Sequence, residues 1–123
     1  MARMMANAMA VCILLPACAQ DDSASSVRPD DASAERGKQL IRKYGCGSCH
    51  TIPGIRTAHG RVGPPLTFFA DRTYIAGHLP NTPDNLKAWL LDPLAINPRT
   101  AMPQLDLSDS DARDVAAYLL TLR

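Results

Sequence analysis

The chain has 123 residues, which is room for one domain, and its 13 Lys and Arg residues against 12 Asp and Glu give a formal net charge of +1. This even balance, with no basic stripe, argues against a nucleic-acid partner. Only 5% of the residues are aromatic, and a small domain with few large side chains often depends on a cofactor for its stability.

The first 18 residues have the order of a bacterial export signal, with Arg3 followed by an apolar run over residues 8–15. This run is much shorter than the ~20 residues of a spanning helix, and no other segment comes closer, so we expect no membrane-spanning helix. Residues 15–18, Leu-Pro-Ala-Cys, resemble a lipobox, which would make Cys18 a lipidated N-terminus with durable membrane attachment. Ala17 and Ala19 around Cys18 equally suit ordinary signal peptidase, which would release a diffusing protein.

Residues 19–34 are polar and contain four Asp residues, and they predict a flexible tether. The tether would join the leader, residues 1–18, to a domain over residues 35–123. Both interpretations of the leader place this domain in the periplasm, and they differ only in whether a lipid on Cys18 holds it at a membrane.

The first predicted helix runs from about Ala34 to Tyr44, with Ser33 as its N-cap and Glu35 in its first turn, where negative charge suits the helix dipole. It ends at Gly45. Residues 51–77 are rich in Gly and Pro and predict a loop, with at most a short helix around residues 66–75.

Thr82 and Pro83 predict the start of a second helix, as its N-cap and first helical residue, and this helix should end at Asp92 before Pro93. Residues 93–107 contain three prolines and predict irregular structure. Ser108 predicts the cap of a last helix that runs to residue 122. No alternating strand pattern occurs, so the predicted fold class is all-α, with three to four helices and long loops.

Residues 46–50 form a C-x-x-C-H motif, which is typical of covalent haem attachment. Cys46 and Cys49 would add across the two vinyl groups of one haem, and His50 would bind the iron. A redox-active thiol pair would instead need a βαβ surround, which the sequence lacks. A zinc site would need a fourth ligand, for which His59 or His78 would have to serve.

Met102 is the candidate for the second axial ligand, because it lies in a Pro-rich loop before the last helix. It is the only Met beyond the leader, since the other four are at positions 1, 4, 5 and 9. His50 and Met102 together would fill both axial positions, which disfavours oxygen binding and peroxide chemistry. We therefore expect electron transfer and no enzymatic activity.

The order of these motifs resembles the class I cytochrome c family over residues 35–123. The motif at residues 46–50 is followed by Gly-Pro-Pro-Leu at 63–66, Trp-Leu-x-Asp-Pro at 89–93 and Met-Pro at 102–103. The pattern over residues 74–86 is further similar to the cytochrome c domains associated with haem–copper terminal oxidases. The resemblance implies a class I cytochrome c fold around one covalently attached haem c.

The resemblance also implies roles for residues around the haem. The Pro64 carbonyl would accept a hydrogen bond from His50, Arg72 would lie near a haem propionate, and Trp89 replaces a Tyr that in many relatives bonds the Met sulfur. Gly37 and Tyr118 would form the contact where the first and last helices cross. The implied haem pocket comprises Pro64, Leu66, Arg72, Tyr74 and Trp89.

The function expected from this resemblance is that of a monomeric single-electron carrier in a bacterial respiratory chain. It would take electrons from a cytochrome bc1-type donor and pass them to a terminal oxidase, with Arg56, Arg61, Lys87 and Arg99 steering docking. The alternatives are an electron acceptor for a periplasmic dehydrogenase and a haem-based gas or redox sensor. A di-haem peroxidase would need a second C-x-x-C-H motif, which is lacking.

Overall fold

The structure is a computed structural model that describes residues 29–123. The predicted leader with Cys18, and residues 19–28 of the predicted tether, lie outside the described residues. No helix within residues 29–123 combines the length and the apolar character that crossing a membrane requires.

The first helix, α1, spans Pro29–Lys43 and begins five residues before the predicted start. Ser33 therefore lies inside the helix and is not its N-cap, and residues 29–34 of the predicted tether are helical. Pro29 suits a first helical position, and Asp30 and Asp31 in the first turn interact favourably with the helix dipole. Gly45 follows the helix in the left-handed conformation, with φ of 71°, which is a common helix end.

The long loop after α1 is largely irregular, as predicted. It contains two 3₁₀ helices, Cys46–Ser48 and Phe69–Asp71, and the second lies where a short helix was predicted. The prediction missed a small antiparallel hairpin of β1, Tyr74–Ile75, and β2, Leu79–Pro80. Strands of two residues are too short to show an alternating pattern.

Two short helices follow the hairpin. Helix α2 spans Pro83–Leu91, and the Thr82 side chain caps it by accepting a hydrogen bond from the Asn85 backbone N–H, as predicted. Helix α3, Pro93–Ile96, corrects the prediction that residues 93–107 are wholly irregular. Pro93 begins this helix and the Asp92 side chain caps it, because a proline that cannot extend one helix is well suited to begin another.

The last helix, α4, spans Asp109–Leu119, and the Ser108 side chain accepts from the Asp111 backbone N–H as its predicted cap. It ends three residues before the predicted end, but Val115, Leu119 and Leu122 are all buried. Val115 and Leu119 lie on the apolar face of α4, and Leu122 joins the core from the segment after the helix.

Helices α1 and α4 pack closely where Gly37 faces the α4 backbone. A Cβ atom on Gly37 would lie 1.9 Å from the Asp114 carbonyl oxygen and 3.1 Å from the Tyr118 Cβ. Only glycine permits this approach, so the predicted crossing of the first and last helices is confirmed. With α2 also packed on α4, the three helices frame one side of an apolar cavity. The all-α fold class is confirmed.

Candidate functional site

One cavity of 360 Å³ collects nearly all the predicted site residues of the domain. Its wall is mostly apolar and combines the segment after α1, the Gly- and Pro-rich loop, helix α2 and the irregular segment after α3. The predicted residues that line it are Cys46, Cys49, His50, Pro64, Leu66, Arg72, Trp89 and Met102.

Tyr74 is the predicted pocket residue that does not line the cavity, and its side chain is 56% exposed. The next residue, Ile75, is buried and lines the cavity instead. Successive side chains of a strand point to opposite faces, so in β1 only one of the two can reach the cavity. This corrects the assignment of Tyr74 to the pocket.

Cys46 and Cys49 are brought to the cavity by the 3₁₀ helix that begins at Cys46, and neither forms a disulfide. The backbone N–H groups of Cys49 and His50 both donate to the Cys46 carbonyl, at 3.2 and 3.0 Å. This tight turn places both thiols and the imidazole on the cavity wall. Burial raises the pKa of the Cys46 thiol above its ordinary value.

His50 is held in one orientation by the loop that carries Pro64. Its Nδ1 lies 2.7 Å from the Pro64 carbonyl oxygen. Because a carbonyl only accepts, the proton is on Nδ1, which leaves the Nε2 lone pair free to bind a metal. Gly63 packs against the ring, since a Cβ there would lie 2.3 Å from the His50 Cε1.

Met102 reaches the same cavity from the segment between α3 and α4 and is half-buried. Its backbone N–H donates to the Thr100 hydroxyl at 3.1 Å, and the Thr100 backbone N–H donates to the Asn97 carbonyl at 3.0 Å. These local bonds give a loop without regular structure a defined path past the cavity.

Arg72 is the only Lys, Arg, Asp or Glu residue among the described residues that line the cavity. Its guanidinium donates to the Pro65 carbonyl and, at 3.3 Å, to the Thr67 carbonyl. It also lies 5.2 Å from the centre of the Phe69 ring, a distance typical of cation–π contact. Arg72 thus stays at the cavity although its surroundings are apolar.

Several apolar side chains line the cavity without having been predicted from the sequence. The place of Val115 and Leu119 at the cavity depends on how α4 packs. Phe69 and Ile75 carry no motif that would assign them to the cavity. The apolar lining residues not predicted for the pocket include Ile41, Ile52, Phe69, Ile75, Leu90, Val115 and Leu119.

The alternative of a zinc site finds no support in the geometry. Within residues 29–123, no three His, Cys, Asp or Glu side chains cluster closely enough to hold a metal ion. His59 is exposed in an isolated bridge with Thr51, and His78 is exposed in the hairpin turn. Neither joins the two thiols.

The residues present fit a haem c. Two thiols lie one turn apart on the cavity wall, an imidazole offers an unprotonated nitrogen, and a thioether comes from a distant segment. Apolar side chains supply the remaining wall, as a large apolar ring requires.

Comparison with known proteins gives a consistent result. The family model described as Cytochrome c matches residues 34–123. The chain is 36% identical over 102 residues to the cytochrome c oxidase subunit 2 of Alkalihalophilus pseudofirmus, and 36% identical over 94 residues to that of Bacillus subtilis. It is 28% identical over 113 residues to cytochrome c-552 of Bradyrhizobium diazoefficiens.

These relatives differ in how much of them the chain spans. The matches cover 82% and 73% of this chain but only 29% and 26% of the two oxidase subunits. The match to cytochrome c-552 covers 92% of both proteins.

Proposed function

The chain belongs to the cytochrome c family, whose members are electron carriers with covalently bound haem c, and we propose that Cys46, Cys49, His50 and Met102 hold that haem here. The observation that carries this proposal is that all four side chains, from two distant segments, line one apolar cavity. The cysteines would form the two thioether bonds, and His50 and Met102 would be the axial ligands. Pro64, Leu66, Arg72 and Trp89 would complete the pocket.

The haem would supply a one-electron redox centre, and the protein would set its ligands and its surroundings. His50 is kept in the tautomer that can bind iron by its bond to the Pro64 carbonyl. With Met102 as the second ligand, no axial position is left for oxygen or peroxide. This ligand pair favours a carrier over a sensor or a peroxidase.

Covalent attachment has a direct test. The protein matured with haem is denatured, and the haem that stays with the chain is measured on a stained gel and by mass. We expect one haem per chain, and none retained when Cys46 and Cys49 are both replaced by Ala. Haem that is lost from the unaltered protein on denaturation would refute the proposal.

We propose a terminal oxidase as the electron acceptor and a cytochrome bc1-type complex as the donor. The likeness to two oxidase subunits supports the acceptor, and exposed basic residues next to lining residues support docking to an acidic surface. Exposed Val62 lines the cavity, and the exposed Arg61 and Arg99 each adjoin a lining residue. Lys87 was expected beside them but forms an ion pair with Asp109 on α4, 2.9 Å away.

Oxidase turnover at increasing salt tests this partner. Replacing Arg61 and Arg99 together by Gln should slow turnover at low salt and flatten its dependence on ionic strength. Arg113→Gln is the matched control, because Arg113 is exposed on α4 and pairs with Asp109. An unchanged salt dependence in the double variant would refute this docking surface. Faster reduction by a periplasmic dehydrogenase than oxidation by the oxidase would favour the alternative acceptor role.

We also propose export to the periplasm with a lipid on Cys18. The mass of the mature N-terminus tests this directly. We expect a Cys18 that carries a thioether-linked diacylglycerol and an amide-linked acyl chain, and release of the protein from membranes by Cys18→Ala. A mature chain that begins after Cys18 would contradict lipidation.

A further inference from the structure

Asn81 cross-links the backbone of the turn that leads to the cavity. Its side-chain N–H₂ donates to the Phe69 carbonyl at 2.9 Å and to the Arg72 carbonyl at 3.1 Å. Its backbone N–H donates to the Thr73 carbonyl at 3.0 Å. The amide oxygen of Asn81 is buried and has no partner among residues 29–123. An unpaired buried acceptor costs stability. Any stabilisation by the Asn81 side chain therefore comes from its two donated hydrogen bonds.

Arg72 continues this network to the next loop. Its backbone carbonyl is fixed by Asn81, and its guanidinium donates to the carbonyls of Pro65 and Thr67. The Arg72 guanidinium also lies over the Phe69 ring, and the backbone carbonyl of Phe69 is the second acceptor of the Asn81 amide. One amide therefore holds the backbone of both residues whose side chains pack together.

The loop that Arg72 holds is the one that orients His50. Pro64 accepts from the His50 Nδ1 and is followed directly by Pro65. On its other side the loop is fixed by the backbone N–H of Gly63, which donates to the Cys49 carbonyl, and that of Leu66, which donates to the Thr51 carbonyl, both at 2.8 Å. The loop that carries the Pro64 carbonyl is therefore held on one side by hydrogen bonds to the segment of His50, and on the other by the guanidinium of Arg72.

We propose that Asn81 and Arg72 are positioning residues that hold the Pro64 carbonyl against His50 and so set how strongly His50 binds the iron. The inference rests on the proposed function, in which His50 is an axial ligand. A strong bond from Nδ1–H to a carbonyl makes the imidazole a better electron donor. A looser Pro64 loop would weaken that donation, destabilise oxidised iron and raise the reduction potential.

Asn81→Ala tests the proposal without any change in charge. We expect the His50 Nδ1–H, followed by NMR in the reduced protein, to exchange roughly tenfold faster, which corresponds to about one hydrogen bond. The reduction potential should rise. Asn85→Ala is the matched control, since Asn85 donates its side-chain N–H₂ only to the Pro80 carbonyl, and it should leave both readouts unchanged. Asn81→Ser provides the same comparison if the alanine variant does not fold.

Arg72→Lys separates positioning from charge, because Lys keeps the charge and loses the two-pronged donation. We expect fast Nδ1–H exchange in this variant, as in Arg72→Gln. The proposal would be overturned if the exchange rate of the His50 Nδ1–H and the reduction potential were unchanged in the Asn81 variants or in Arg72→Lys. Covalent haem is checked first on a stained gel; if the unaltered protein held none, the proposed function would fail and this inference with it.

Discussion

The Tyr118 hydroxyl of α4 donates to the Pro53 carbonyl at 2.7 Å and ties the last helix to the loop that follows the C-x-x-C-H motif. The next residue, Gly54, has φ of 77°, and a Cβ there would lie 2.5 Å from this hydroxyl. The contact therefore depends on glycine in the loop as well as on the tyrosine. It links the helix packing to the segment that positions the haem-binding motif.

Tyr118→Phe should lower the free energy of unfolding by about 1 kcal/mol, because the ring stays buried while the Pro53 carbonyl loses its donor. Chemical denaturation of the haem-loaded protein measures this. Tyr74→Phe is the control, since Tyr74 is 56% exposed and donates no side-chain hydrogen bond within the described part of the chain. Equal stability of Tyr118→Phe and the unaltered protein would contradict the prediction.

The ion pair between Arg36 and Asp114 predicts a dependence of stability on pH. The Arg36 Nε donates to the Asp114 Oδ2 at 2.8 Å, and this hydrogen bond holds the pKa of Asp114 below its ordinary value. A depressed carboxyl pKa stabilises the folded protein above the unfolded pKa of about 3.9, and this stability is lost as the pH falls through the folded value.

Asp114→Asn should therefore lower the free energy of unfolding at neutral pH. In this variant the free energy of unfolding should also fall less steeply as the pH drops below about 5. Thermal unfolding at a series of pH values measures this. An identical slope in Asp114→Asn would show that the pair does not govern acid stability.

Gly63→Ala should disturb His50 directly. The new Cβ would lie 2.3 Å from the ring, so the imidazole must leave its place beside Pro64. We expect impaired haem loading and an altered absorption spectrum. Gly77→Ala is the matched control: its φ of 74° strains an alanine by about 1–2 kcal/mol, but nothing lies within 4 Å of the new Cβ. Normal haem binding in Gly63→Ala would contradict the packing described here.

Features that depend on local chemistry could be predicted from the sequence. Thr82 and Ser108 cap their helices as expected, because an N-cap bond spans only three residues. The start of α1 was misplaced because the sequence offers two equally suitable helix starts. One has Ser33 as the N-cap, and the other has Pro29 as the first helical residue. Helix α3 was missed because a prolyl residue was interpreted only as a helix breaker.

Features that depend on packing could not be predicted. The motif at residues 46–50 and Met102, the one Met beyond the predicted leader, are chemically distinctive in the sequence. The structure places them on one cavity. Ile75 lines the cavity in place of Tyr74 because the two residues point to opposite faces of β1. The hairpin that contains β1 is too short to recognise in the sequence. Asn81 gave no signal because its bonds go to backbone carbonyls nine and twelve residues away, and any polar side chain in a loop shows the same pattern.

The most direct test of the account is the absorption spectrum of the oxidised, haem-loaded protein and its Met102→Ala variant. Sulfur bound to ferric haem gives a weak charge-transfer band at the red end of the spectrum. We predict this band in the unaltered protein and its loss in Met102→Ala, with covalent haem retained in both. A spectrum that lacks the band in the unaltered protein, or keeps it in Met102→Ala, would contradict ligation by His50 and Met102.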